Sequence, residues 1–333
     1  MNYRRVGKSG LRISEISLGS WLTYGGTVEK EIAKECMTTA VENGINFIDC
    51  AEAYAGGKAE EVIGEWLSEG TARRRDMVIS SKVFWPTSKD INDWGNSRKN
   101  IMNAIEGTLE RLKTDHIDIY YLHRYDYTTP LQETVDVMDE LIRSGKVRYW
   151  GTSMWTAWQL ERANAIAKES GAHKPVVEQP LYNMLSRYIE LEIMSIAKNH
   201  GMGLTVWSPL GQGLLTGKYN DGKIPEGSRG SRSESIKDSL TPETLEKLRK
   251  LGDIAGSLDI STAQLAVAWI LRRREISAAI VGATTPEHVT ENVKASGVEL
   301  TSSTVQEIED LLDNAPEWPP HYAPNIYYED RMR

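Results

Sequence analysis

Short apolar runs rich in β-branched residues alternate with longer segments of helical periodicity through nearly the whole chain. The pattern predicts an N-terminal hairpin, residues 3–6 and 11–14 around the turn Gly7-Lys8-Ser9-Gly10. A first strand follows at residues 15–19, then a helix over about 29–43 that stops at Gly44, a residue suited to a helix C-terminus. Further strands are predicted at 45–48, 77–81, 117–122, 147–151, 175–178, 204–207 and 279–281. Helices are predicted near 58–68, 97–112, 131–143, 156–169, 187–199, 261–273 and 286–295, with Ser97 as an N-cap and Pro286 in a first turn.

Eight strand-helix units with no interdomain linker predict an α/β fold of one kind, a (β/α)8 TIM barrel forming a single domain over residues 1–333. A dinucleotide-binding doubly wound sheet with a second domain fits less well. The turn after the first strand reads Gly19-Ser20-Trp21-Leu22-Thr23-Tyr24-Gly25-Gly26, with bulky residues where close phosphate approach needs glycine. Two long interruptions, 82–96 and 208–241, would both lie on the catalytic face of a barrel.

Charge and composition narrow the function. Against 39 Lys and Arg stand 47 Asp and Glu, a formal charge of -8, which disfavours nucleic acid as a partner. The longest apolar run, 265–271, is far short of the roughly 18 residues of a membrane span. The opening MNYRRVGKSG has no apolar stretch behind its basic residues, so no secretory signal is expected. The two cysteines, Cys36 and Cys50, show no metal-ligand spacing; a reducing, cytoplasmic setting and no metal are expected.

In a barrel, chemistry sits where strands end. Asp49, Lys82 and His123 each close an apolar run, and Tyr54 lies in the loop just after Asp49. Singly, such residues are more often a helix cap, a solvated lysine or a structural histidine. Together they form a proton-transfer device. A tyrosine of ordinary pKa about 10 becomes a useful acid if an ammonium stabilises its anion. Asp49 would hold Lys82 charged, His123 would orient a carbonyl oxygen or share the proton, and Tyr54 would donate to a developing alkoxide.

These residues also resemble a family. Gly44-Ile-Asn-Phe-Ile-Asp49-Cys-Ala-Glu-Ala-Tyr54 followed by Glu60-Glu-Val-Ile-Gly64 is similar to the signature of the aldo-keto reductases. Asp49, Tyr54, Lys82 and His123 match that family's catalytic tetrad in order and context. The resemblance covers essentially the whole chain. It is closest to the branch of potassium-channel beta subunits and their bacterial relatives, through residues 19–26, Tyr182-Asn183 and the run 207–219.

The resemblance implies NADPH as cofactor, bound extended across the barrel mouth. Carried over by position, Ser20 and Trp21 would flank the nicotinamide beside Asp49, Ser153 and Gln179 would bond its carboxamide, and Trp207 would stack on its ring. Ser208, Leu210 and Gly213 would line the pyrophosphate. Lys218 and Arg229, the latter in preference to Arg232, would meet the phosphates and the 2'-phosphate, and Gly282, Thr284, His288, Glu291 and Asn292 would close the adenosine end. Independently of the family, Val281-Gly-Ala-Thr-Thr-Pro286 opens a helix with small and hydroxyl residues, as an anion cradle or a plain cap. Met154 departs from the polar residue common after Ser153 in relatives, which removes one polar contact.

On the substrate side, Trp21, Tyr54, Trp85 and His123 are the expected contacts. With Trp94, Tyr125 and Trp155 they suggest an aromatic-walled pocket for apolar or aromatic carbonyls. The Pro- and Tyr-rich tail from Glu317 onward has two open readings, a cover for part of the barrel mouth or a subunit contact.

The expected function is NADPH-dependent reduction of aldehydes and some ketones, with a small-molecule carbonyl as partner and a homo-oligomer as a possible assembly. A second reading, from the branch resemblance, is an NADPH-binding redox-sensing subunit that signals to a partner. The channel subunits place Asn where this chain has His123, and no N-terminal extension is expected ahead of the barrel; both favour the enzyme. A third, a Schiff-base lyase using Lys82 as nucleophile, requires an uncharged lysine.

Overall fold

The computed structural model of the chain describes residues 1–21 and 24–317. The tail from Trp318 onward lies outside the described residues, as do Leu22 and Thr23. Strands β1 (Tyr3–Arg5) and β2 (Arg12–Ser14) form an antiparallel hairpin, with Tyr3 opposite Ser14. Then β3 (Ile16–Gly19), β4 (Phe47–Asp49), β5 (Val78–Val83), β6 (Ile117–Leu122), β7 (Val147–Ser153), β8 (Val177–Gln179), β9 (Gly203–Trp207) and β10 (Ile276–Gly282) close into a parallel barrel, β10 pairing with both β3 and β9. Around it run α1 (Lys30–Glu42), α2 (Lys58–Ser68), α3 (Arg98–Arg111), α4 (Leu131–Arg143), α5 (Ala157–Ser170) and α6 (Ile193–His200). The loop after β9 carries α7 (Arg229–Arg232), α8 (Glu234–Ser239) and α9 (Pro242–Ser257), before α10 (Thr262–Leu271), α11 (Pro286–Val293) and α12 (Ser302–Leu312). This is the expected (β/α)8 barrel with its N-terminal hairpin.

The apolar pattern produces two cores. A large one fills the space between strands and helices, with Trp66, Trp150 and Trp269 fully buried. A small one fills the lower barrel: Phe47, Val78, Ile119, Tyr121, Val177 and Ala278, joined by Val6 and Ile13 of the hairpin. The hairpin is pinned there by the Lys8 amide donating to the Gly201 carbonyl at 2.8 Å and the Ser277 hydroxyl donating to the Arg5 carbonyl at 3.0 Å. One end of the barrel is thereby plugged, and the carboxyl ends of the strands remain for the site.

Several helices differ from the sequence reading, the short α7 and α8 inside the interruption 208–241 among them. The helix expected over 187–199 is a 3-10 turn, Tyr188–Glu190, followed by α6, because Arg187 and Glu190 turn inward to pair with each other and with Glu309 and Arg273. Helices α9 and α12 lie in stretches to which the sequence reading assigns no element. Each had a local signal, Thr241 and Thr301 accepting from the amides of Thr244 and Thr304 as N-caps. Among the described residues no single helix is long and apolar enough to cross a membrane; α9 and α10 reach that length only as a pair bent by 85°.

Helices α2 and α3 meet at Gly64, where a Cβ would lie inside the contact distance of the Arg111 carbonyl and 2.8 Å from the Leu112 carbonyl carbon. Gly64→Ala is expected to destabilise the fold by about 1–3 kcal/mol, overpacking outweighing the better helix propensity. A urea midpoint at or above that of the wild type would show that the helices can part freely.

Candidate active site

Asp49 ends β4 and Lys82 lies on β5, so adjacent parallel strands bring both side chains to the barrel mouth. The Lys82 ammonium is fully buried, and its three protons have three acceptors: Asp49 Oδ2 at 2.6 Å, the Cys50 carbonyl at 2.7 Å and Tyr54 Oη at 3.1 Å. Asp49 Oδ1 accepts from Ser80 at 2.8 Å and from Gln179 Nε2 at 2.9 Å. Burial opposes the charge on Lys82, but Asp49 and Tyr54 outweigh it and raise the lysine pKa. A Schiff-base nucleophile needs an uncharged amine, and this one is held charged with every proton engaged.

Tyr54 is positioned by an unusual turn. It opens a one-turn 3-10 segment, Tyr54–Gly57, in which Ala55, Gly56 and Gly57 take successive left-handed φ values of 51°, 63° and 91°. Gly57 is needed both for its φ and because a Cβ there would sit 2.9 Å from Arg111 Cδ. The turn drops the tyrosine ring over Lys82, whose Nζ lies 4.8 Å from the ring centre. Since Tyr54 Oη accepts from Lys82, its own proton is free for a substrate oxygen.

The electrostatics differ from the expected depressed tyrosine. Burial outweighs the Lys82 charge, and the Tyr54 hydroxyl is pushed up to about 12. Tyr54 is thus held protonated at all ordinary pH; a donor of this acidity still protonates the far more basic alkoxide.

His123 follows β6, its amide donating to the Val83 carbonyl at 2.9 Å, and its ring meets that of Tyr54 edge-on at 5.9 Å between centroids. Burial, Lys82 and Arg124 hold its pKa well below the ordinary range. Nδ1 is buried without a hydrogen-bond partner among the described residues. A proton on Nδ1 would be an orphaned donor, so hydrogen bonding assigns the proton of the neutral ring to Nε2.

The remaining sequence-predicted residues surround this tetrad. Ser20 and Ser153 are buried, the first donating to the Asp49 carbonyl at 3.0 Å, the second to the Gln179 carbonyl at 2.9 Å. Trp21 and Trp207 stand edge to face at 6.2 Å, and the Arg229 guanidinium lies 5.0 Å over the Trp21 ring. Arg229 therefore sits near the Trp21 end of the mouth. Farther along, Lys218 lies beside Gly213, where a Cβ would be 3.6 Å from its Nζ, and close enough to His288 to lower the imidazole pKa after burial. His288 Nδ1 is 3.1 Å from the Thr284 hydroxyl, and Glu291 is taken up by Gln264 and Lys294. Asn292 is buried. Ser208 carries a left-handed φ of 55°, Leu210 precedes the 3-10 segment Gly211–Thr216, and Gly282 ends β10 facing open space.

This donor set fits an anionic dinucleotide. Neither Lys218 nor Arg229 has a carboxylate within ion-pair distance among the described residues, while hydroxyls and small residues line the same edge.

The aromatic wall is divided. Trp85 and Trp94 pack at 5.8 Å with Phe84 behind them, and Trp85 stands 6.4 Å from His123. Trp155, expected on this wall, is only 2% exposed and belongs to the core, its ring 4.9 Å from that of Tyr125; the apolar surroundings that pack it claim it from the mouth. Sequence reasoning missed Arg124 and Glu178, both near the tetrad; their place at or just past strand ends was the available signal.

The sequence profile of the Aldo/keto reductase family matches residues 15–313. The chain belongs to the aldo/keto reductase family. It is 42% identical to a probable voltage-gated potassium channel subunit beta of Arabidopsis thaliana, over 97% of this chain and 100% of that protein. It is likewise 42% identical to a similarly named protein of Oryza sativa subsp. japonica, over 95% of this chain and 98% of that one. This aldo/keto reductase barrel is accordingly an oxidoreductase fold whose family generally uses NAD(P)H.

With its pKa held well below the ordinary imidazole range by burial, Lys82 and Arg124, His123 is expected to remain neutral at about pH 6.5, where a free imidazole is half charged, read by its imidazole carbon or nitrogen shifts. The sign for stability follows: the unfolded chain takes up this proton first, so the group's contribution to stability is lost as pH falls below about 6.5. An imidazole titrating near 6.5 in the folded protein would remove the neutral-donor role.

Proposed function

We propose that the protein is an NADPH-dependent reductase of aldehydes and some ketones, working as one catalytic unit in the cytoplasm. The observation that carries the reading is the Lys82 ammonium shared between Asp49 and Tyr54 at the barrel mouth. A reduced nicotinamide bound along Ser20, Trp21, Ser153, Gln179 and Trp207 supplies the hydride. Ser208, Leu210 and Gly213 would line its pyrophosphate, Lys218 and Arg229 would meet its phosphates, and Gly282, Thr284, His288, Glu291 and Asn292 would hold the adenosine end.

The chain's own residues then do three things. His123 Nε2–H orients the carbonyl oxygen. Tyr54 Oη gives that oxygen its proton as negative charge develops there. The ammonium of Lys82, already hydrogen-bonded to Oη, stabilises the tyrosinate left behind, and Asp49 keeps the ammonium fixed. Trp21 and Trp85 flank the substrate. Free, buried cysteines accord with the cytoplasmic reading, since burial raises Cys36 to about 11 and leaves its thiol unreactive.

Tyr54→Phe is expected to lower turnover of an aromatic aldehyde by 10²–10⁴ while leaving NADPH binding nearly unchanged, because the hydroxyl acts on the substrate oxygen. Turnover equal to the wild type would end the role given to Tyr54. Lys218→Ala together with Arg229→Ala is expected to narrow the preference for NADPH over NADH at least tenfold in tryptophan-fluorescence titrations; an unaltered preference would place the 2'-phosphate elsewhere. A second reading, an NADPH-binding regulatory subunit, is favoured by the names of the two plant relatives. Tight NADPH binding without turnover of any carbonyl would support that reading instead.

A further inference from the structure

We propose that the substrate is a carbonyl compound bearing a second, anionic group, and that Arg124 holds this group beside the tetrad. This inference rests on the reductase reading and names its substrate class. Arg124 follows His123 at the mouth and donates to the His123 carbonyl at 2.5 Å. Its guanidinium lies 5.7 Å from the centre of the Trp85 ring, which in turn stands 6.4 Å from the His123 ring. Tyr54, His123, Trp85 and Arg124 thus form one continuous wall, running from proton donor to cation.

The cation is unbalanced. Of the arginines at least partly withdrawn from solvent, Arg4, Arg74, Arg111, Arg187, Arg272 and Arg273 each have a carboxylate within 4 Å. Among the described residues Arg124 and Arg229 do not, and Arg229 stands over Trp21, on the side assigned to the cofactor. Burial accordingly lowers the Arg124 pKa, with no ion pair to restore it. The neighbouring Glu178 attracts Arg124 only from beyond ion-pair distance and without outweighing its burial: it is fully buried, its Oε2 accepting from Thr152 at 2.5 Å and its Oε1 from the Trp155 amide at 3.2 Å.

The mouth is also partitioned. The cofactor candidates occupy the ends of β3 and β7 to β10, whereas Arg124 and Trp85 belong to the ends of β6 and β5. A planar apolar body against Trp85 would place its carbonyl at Tyr54 and His123 and its anionic end on the guanidinium fork, which matches carboxylate and phosphate geometry. Such a contact in a partly dry mouth exceeds an exposed ion pair in strength.

The test compares 4-carboxybenzaldehyde with its neutral methyl ester, methyl 4-formylbenzoate, under NADPH. The wild type is expected to favour the acid at least tenfold in kcat/KM, with the preference shrinking as salt rises. Arg124→Gln should remove the preference and Arg124→Lys restore part of it. No preference in the wild type for either the carboxylate or a phosphate in its place over the ester, or an equal loss on charged and neutral substrates in Arg124→Gln, would overturn the proposal. Replacing the carboxylate by phosphate, as 4-formylphenyl phosphate, distinguishes the two anions; tighter use of either over the ester supports the site. If neither aldehyde turns over, the reductase reading fails by itself, and terephthalate binding followed by tryptophan quenching decides the anion site. At least tenfold weaker binding to Arg124→Gln upholds it, and equal binding overturns it.

Discussion

The buried ion pair between Lys82 and Asp49 is the constraint on which the site depends. Charges taken out of water are tolerable only when their remaining hydrogen-bonding capacity is met, and removing one partner of such a pair costs about 3–5 kcal/mol. Here the requirement organises the mouth. Satisfying the ammonium takes the Cys50 carbonyl and the Tyr54 hydroxyl as well as Asp49, and satisfying the carboxylate takes Ser80 and Gln179. Strands β4, β5 and β8 and the Tyr54 turn are thereby tied to one point. The geometry that the proposed proton transfer would use is the same geometry that makes the buried charges acceptable.

That economy explains the division of labour between the two rings. Both feel the same dry surroundings and the same ammonium, yet the effects differ because burial always disfavours the charged form. It raises a tyrosine and lowers a histidine, so both are driven to their neutral, proton-bearing states. Tyr54 thereby keeps the proton that the proposed reduction would give, and His123 the one that would orient the carbonyl. In the proposed reaction the ammonium would act at the moment a tyrosinate forms, rather than by acidifying the resting hydroxyl.

The barrel and the tetrad were legible because both have strong local signals. Eight apolar runs of strand length fixed the number of units, and Asp49, Lys82 and His123 ended three of them. What was not legible depended on packing between distant segments. Trp155 follows a strand end like Trp85 follows another, but only the fold shows that Tyr125 and the helix layer enclose it. Helix α9 was hidden by its polar face, and the break before α6 comes from ion pairs to Glu309, more than a hundred residues away. Arg124 was hidden by adjacency, since a charged residue after a strand-end histidine looks solvated until the absence of a carboxylate partner is visible.

Relatives named as channel subunits raise the question of what separates binding from turnover on this barrel. Holding a dinucleotide in the proposed place would use hydroxyls, indoles and cations along β7 to β10, and none of these must move a proton. Turnover adds a demand on the opposite side of the mouth: a proton donor, a neutral donor to the carbonyl oxygen and a substrate held between them. In the proposed reductase Tyr54, His123 and Lys82 would meet that demand at the cost of a lysine and an aspartate buried together, an arrangement that cofactor binding alone would not require. The hydrogen bonds joining Asp49, Lys82 and Tyr54, with the His123 ring against Tyr54, are therefore the physical argument for the proposed chemistry, and Arg124, with no carboxylate in ion-pair distance among the described residues, would extend the same side of the mouth toward a substrate.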